Sequence, residues 1–157
     1  MWEILLSKPV LIGLHLAFAI IGIDAFLWLL GEIKNGSWRK VRLYWSAGVG
    51  VLSFLLSWLF GGYYYVKYYG GLVKPIIQSG LAPWAHNIIM ETKEHIFLFI
   101  IPLAITSLFI TLLGEDEFKS LNIKRVLMIL VVLVAGLGLV IGAMGFVISA
   151  AARWGVQ

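Results

Sequence analysis

The chain has 157 residues, of which 61% are apolar and only 13% charged, with a mean hydropathy of +0.97. Soluble domains carry roughly 45–50% apolar and about 25% charged residues, so a water-soluble globular domain, a disordered tail and a nucleic-acid binder are excluded as classes. The formal net charge of +4 reads as a topology signal in membrane loops, and the absence of cysteine removes disulfides, thiolate metal sites, covalently attached haem and iron–sulfur clusters.

A spanning helix needs about 20 mostly apolar residues. Four segments meet that length in chain order. The first runs from about Pro9 to Leu30, with Asp24 its only formal charge, and the second from about Leu43 to Val66 without any. The third runs from about Trp84 to Leu113 and begins with polar turns, and the fourth runs from about Val126 to Ala152, again uncharged. Backbone groups in lipid are satisfied only within helices or closed barrels, which makes these runs helices. The expected fold is an all-α, four-helix transmembrane bundle, up-down-up-down, forming one integral membrane domain over residues 1–157. The first run is too long for a signal-peptide core and reads as a retained span.

The connections are short. Lys34-Asn35-Gly36-Ser37 is a turn. Gly61-Gly62 and Gly70-Gly71 bracket a tyrosine-rich stretch, and Ser79-Gly80-Leu81-Ala82-Pro83 precedes the third helix. Gly114-Glu115-Asp116-Glu117 ends the third helix and Lys124-Arg125 opens the fourth. With four spans, Lys8, Lys67, Lys74, Lys93 and Arg153 share one side, and Lys34, Arg39, Lys40, Arg42, Lys119, Lys124 and Arg125 share the other. The positive-inside rule then places both short hairpins in the cytoplasm and both termini outside, with a prokaryotic plasma membrane as the expected location. The tyrosines and Trp84 read as an outer aromatic belt.

Two helices carry stripes of small residues. In the fourth, Ala135, Gly138, Gly142, Gly145, Ser149 and Ala152 follow gaps of three and four. In the second, Ser46, Gly50, Ser53, Ser57 and Gly61 do nearly the same. Such stripes let helices approach closely in lipid, or give room to the edge of a flat cofactor. Gly22, Gly138 and Gly142 are the candidate positions for that second use.

Ionisable groups inside spans are costly and are functional candidates by default. The first helix offers His15 and Asp24, and the third offers His86, Glu91, Lys93, Glu94 and His95 near its start. His15 and His95 are expected at similar depth on helices that stand diagonally in such a bundle, a geometry that suits both axial positions of a b-type haem. His15, Ala19, Gly22 and Phe26 share one stripe. The same region also admits a bare copper, zinc or iron ion on His15, His95 and Glu91, with His86 as a further ligand. Asp24 shares a different stripe with Gly13, Ala17 and Ile20, nearly opposite His15, and is a candidate proton-relay step or an interhelical hydrogen bond to a hydroxyl such as Ser53.

The segment Gly13-Leu14-His15-Leu16-Ala17-Phe18-Ala19-Ile20-Ile21-Gly22 resembles the first helix of a group of small membrane proteins. That group includes the copper-resistance D family and the membrane-bound protoporphyrinogen-oxidase family that uses b haem. Where those families place a Trp and a Gly two to three turns after the histidine, this chain has Gly22, Asp24 and Trp28. The nearest match to the oxidase family's His-and-Lys pattern is His86 through Lys93 to His95. The resemblance implies a haem site and Lys93 as a substitute for His95 in ligation. The resulting expectation is a membrane b-type cytochrome that passes electrons to a redox partner or quinone. Metal-ion binding or transport, and a non-catalytic subunit or scaffold docked through its glycine stripes, are the alternatives. A homo-oligomer fits any of the three, and a nucleic-acid partner fits none.

Overall fold

A computed structural model describes residues 2–36 and 40–155. Ser37 and Arg39, counted above in the first hairpin, lie outside the described residues. A short α1 (Trp2–Leu5) precedes α2 (Lys8–Lys34), and α3 (Lys40–Tyr64) passes without a break into a π-helical segment, π1 (Tyr65–Val73), and on into α4 (Lys74–Ser79). A second π-helical segment, π2 (Ala85–Met90), leads into α5 (Glu91–Thr111), followed by a six-residue α6 (Glu115–Ser120) and α7 (Lys124–Trp154). Among the described residues there is no strand. Four helical stretches are long and apolar enough to cross a membrane: Lys8–Lys34, Lys40–Ser79, Ala85–Thr111 and Lys124–Trp154.

Local sequence explains the boundaries. Ser7 stands extended at the N-terminus of α2, and Pro9 occupies the first turn, where a missing N–H is harmless. In α6, the Gly114 N–H donates to Glu117 Oε2 at 2.9 Å, so an otherwise orphaned donor is satisfied. Lys119 meets Glu115 one turn back at 2.6 Å, and that bond pushes its ammonium above the usual lysine range. Asn122, with φ of 50°, makes the turn into α7.

The principal contacts run α2 to α3, α3 to α5, α5 to α7 and α7 to α2, a closed ring that leaves α2 and α5 on one diagonal. Between α2 and α3 the register is antiparallel: His15 meets Ser57, Gly22 meets Phe54, Phe26 meets Gly50 and Glu32 meets Arg42. The main core gathers Phe26, Leu29, Phe54, Ile100, Leu127 and Val131. Phe118 of α6 closes one end of it. A second apolar cluster, including Tyr69, Val73, Ile77, Ala85 and Ile148, sits where π1, π2 and the end of α7 meet.

Small residues do much of the fitting. A Cβ on Gly50 would stand 2.5 Å from the Phe26 ring, one on Gly22 2.9 Å from Phe54, and one on Gly138 2.8 Å from Ile23. The candidate cofactor glycines Gly22 and Gly138 are therefore filled by neighbouring side chains of the bundle. Gly142 faces outward, with nothing within 4 Å. Of the α7 stripe only Ala135 and Gly138 are buried; beyond them the buried positions fall one residue earlier, at Ile141, Ile148 and Ala151, so Gly142 and Ser149 face outward.

The second helix does not end near Val66. It continues in α geometry through Gly61-Gly62 and in π geometry through Gly70-Gly71 to Ser79. At about 1.5 Å per residue this 40-residue stretch is roughly twice the thickness of a hydrocarbon core.

Candidate functional site

Of the polar side chains named from the sequence, His15, His86, Lys93 and Glu94 lie toward the end of the bundle where α2 begins and α3 passes into π1. His15 on α2 is held by Ser57 on α3. Its Nδ1 lies 2.8 Å from the Ser57 carbonyl oxygen, and since a carbonyl only accepts, Nδ1 carries the proton. The Ser57 hydroxyl donates to the His15 carbonyl at 3.0 Å and lies 3.0 Å from Nδ1. One turn further, Gly61 makes room for the ring: a Cβ there would stand 2.5 Å from Nδ1. The result is an imidazole in a fixed tautomer, with Nε2 left as the lone-pair nitrogen. That is the arrangement by which outer hydrogen bonds orient a ligating histidine.

From the diagonal helix, Lys93 lies within electrostatic range of His15. Its Nζ rests against α7, 3.6 Å from the place of a Gly145 Cβ. Glu94 neighbours it and lies within electrostatic range of Tyr65 on π1. The Glu94 Oε1 atom is buried with no hydrogen-bond partner, a costly state that calls for a donor.

His95 is placed differently from the expectation. It is exposed, and its Nδ1 donates to the Glu91 carbonyl of its own helix at 2.6 Å. Lys93 and His95 are two residues apart, about 200° around a helix, so only one of them faces the bundle, and it is Lys93. His15 and His95 are not brought together as an axial pair. The candidate metal set is dispersed as well. His86, 2% exposed, meets Glu91 at 3.8 Å through Nε2, but His15 faces Ser57 and His95 faces outward. Among the described residues no three His, Asp or Glu side chains are grouped to hold a metal ion.

Two further corrections concern single residues. Tyr69 is not part of an exposed belt. It is 2% exposed, and its hydroxyl lies 3.1 Å from His86 Nδ1, with its ring stacked on Tyr65 at 5.1 Å. Asp24, a candidate for an interhelical bond to a hydroxyl such as Ser53, faces away from the bundle and is not bonded to Ser53, which is buried on α3.

The sequence reading missed Glu32. It is buried at the other end of α2, accepting from the Trp28 indole at 3.0 Å and from Arg42 at 3.3 Å, and it ties the first hairpin together. Its signal was its place seven residues after the buried Ala25. Ser57 was read as packing alone; its role appears only once α2 and α3 are in register.

No family model, curated protein or solved structure matches the chain.

Proposed function

We propose that the chain is an integral membrane electron-transfer protein that binds a b-type haem through His15. The bundle runs up-down-up-down in a prokaryotic plasma membrane, with both termini outside and the short hairpins cytoplasmic, following the distribution of Lys and Arg. The observation that carries the reading is the bond from His15 Nδ1 to the Ser57 carbonyl, which leaves Nε2 available as a neutral nitrogen ligand.

The donor chemistry fits a haem on one side through His15 and does not fit it through His95. Lys93, on the diagonal helix and within electrostatic range of His15, would be the second side chain to hold the haem. When bound, a b-type haem supplies a one-electron carrier whose potential answers to its axial ligands and their hydrogen bonds. The chain's own part is definite. Ser57 and Gly61 set the orientation of His15, and Tyr69, Val73 and Ile148 form an apolar cap over this end of the bundle. Electrons would pass to a quinone or a protein partner in the membrane. The absorption spectrum of protein purified from haem-replete cells tests this: a Soret band that survives His95→Ala and disappears in His15→Ala is expected. Absence of the band from the unaltered protein overturns it.

A second reading rests on Glu94. Its unsatisfied buried oxygen beside Lys93 and Tyr65 suits a proton-transfer step that needs no cofactor. It predicts a colourless protein in which Glu94→Gln abolishes proton movement across vesicles while His15→Ala leaves it intact.

A further inference from the structure

On α2, Gly13, Ala17, Ile20, Asp24 and Leu27 recur at gaps of four, three, four and three, and all of them face outward. Asp24 stands ten residues before the end of a 27-residue helix. About 15 Å of helix therefore lies between it and one membrane surface, which puts it near the bilayer centre. Two other outward polar groups of the spans are bonded within their own helices: the Thr106 hydroxyl donates to the Pro102 carbonyl at 2.8 Å, and Arg153 reaches the Ser149 hydroxyl at 3.0 Å. Asp24 has no hydrogen bond or ion pair among the described residues. A carboxyl in hydrocarbon without a partner is among the costliest groups a span can carry.

We propose that this face of α2 is the interface of a parallel homodimer, in which Asp24 pairs with Asp24 of a second copy. A protonated carboxyl is both donor and acceptor, so two of them satisfy each other, and a two-fold axis along the membrane normal brings identical residues together at the same depth. A basic partner would have to bring an equally costly charge to the bilayer centre, whereas a second copy brings the matching group by symmetry. The remainder of the face suits close approach: a Cβ on Gly13 would meet nothing within 4 Å, and Ala17 stands one turn on. Small residues four apart are the pattern that lets helices pack closely in lipid. The interface lies on the opposite side of α2 from His15 and is independent of what that histidine binds.

The absence of cysteine makes the test direct. Single substitutions Ile20→Cys and Leu27→Cys flank Asp24 on the proposed face, and Phe99→Cys on α5 is an exposed control. Oxidation of native membranes is expected to give a disulfide-linked homodimer from the two α2 variants and not from the control. Adding Asp24→Leu is expected to lower the linked fraction about tenfold, on the scale of an interhelical hydrogen bond in membranes, and Asp24→Asn to preserve it. Leucine suits a lipid-facing position, so the fold survives that change. Equal linking at Phe99, linking indifferent to Asp24→Leu, or a cross-linked species containing a different protein each overturns the proposal.

Discussion

His15 and Ser57, on adjacent antiparallel helices, exchange bonds in both directions. The imidazole Nδ1–H donates to the Ser57 carbonyl, and the Ser57 hydroxyl donates back to the His15 carbonyl. The half-buried imidazole near the start of α2 is thereby oriented by the packing of α2 on α3. Removing only the hydroxyl separates the two bonds. Ser57→Ala should cost about 1 kcal/mol, the net worth of a typical hydrogen bond, and should leave the carbonyl bond and the tautomer of His15 in place. Thermal unfolding in detergent checks the first part, and the nitrogen chemical shifts of labelled histidine check the second.

Gly61→Ala should act more severely. The added methyl would lie 2.5 Å from His15 Nδ1, so the ring has to leave its position. A loss of about 1–3 kcal/mol, the usual range for overpacking, is expected in the same unfolding assay, together with loss of the proposed Soret band.

The glycines of the bundle sort into two groups. Gly50→Ala and Gly138→Ala press a methyl into Phe26 and Ile23 and should each destabilise by about 1–3 kcal/mol. Gly142→Ala meets nothing and should stay within about 0.5 kcal/mol of the unaltered protein. Equal melting temperatures for the three variants would show that the stripe of α7 is not a packing surface in the way described.

At the other end of α2, Arg42→Ala removes a donor to the buried Glu32 and leaves the Trp28 indole in place. The Arg42 side chain is half exposed, so its pair is screened, and a cost of about 1 kcal/mol is expected. Lys40→Ala, two residues earlier, serves as the control and should be neutral.

The four long helices were legible from composition and length because hydrocarbon permits so few alternatives. The inward faces were partly legible. Ser46, Gly50, Ser53 and Ser57 are all buried, as their spacing implied. On the third span the seven-residue series His86, Lys93, Ile100, Ser107 lies on the inward side, while Ile88, His95, Pro102 and Phe109 all face out. That phase was present in the sequence, but a lysine is an unexpected occupant of an inward face, and the eye goes to the histidine beside it. The pairing of His15 with Ser57 was not legible at all, since it depends on how far α3 is shifted along α2. Nor was the run of α3 into π1 and α4: glycine pairs usually mark a break, and here the helix runs on through Gly61-Gly62 in α geometry and through Gly70-Gly71 in π geometry.

The site at His15 is the centre of this account, and one optical measurement addresses it. Protein purified in mild detergent from haem-replete cells is predicted to show a Soret band of near-unit haem stoichiometry, retained in His95→Ala, altered in Lys93→Met and abolished in His15→Ala. A colourless preparation, or a band that depends on His95 and not on His15, would contradict it.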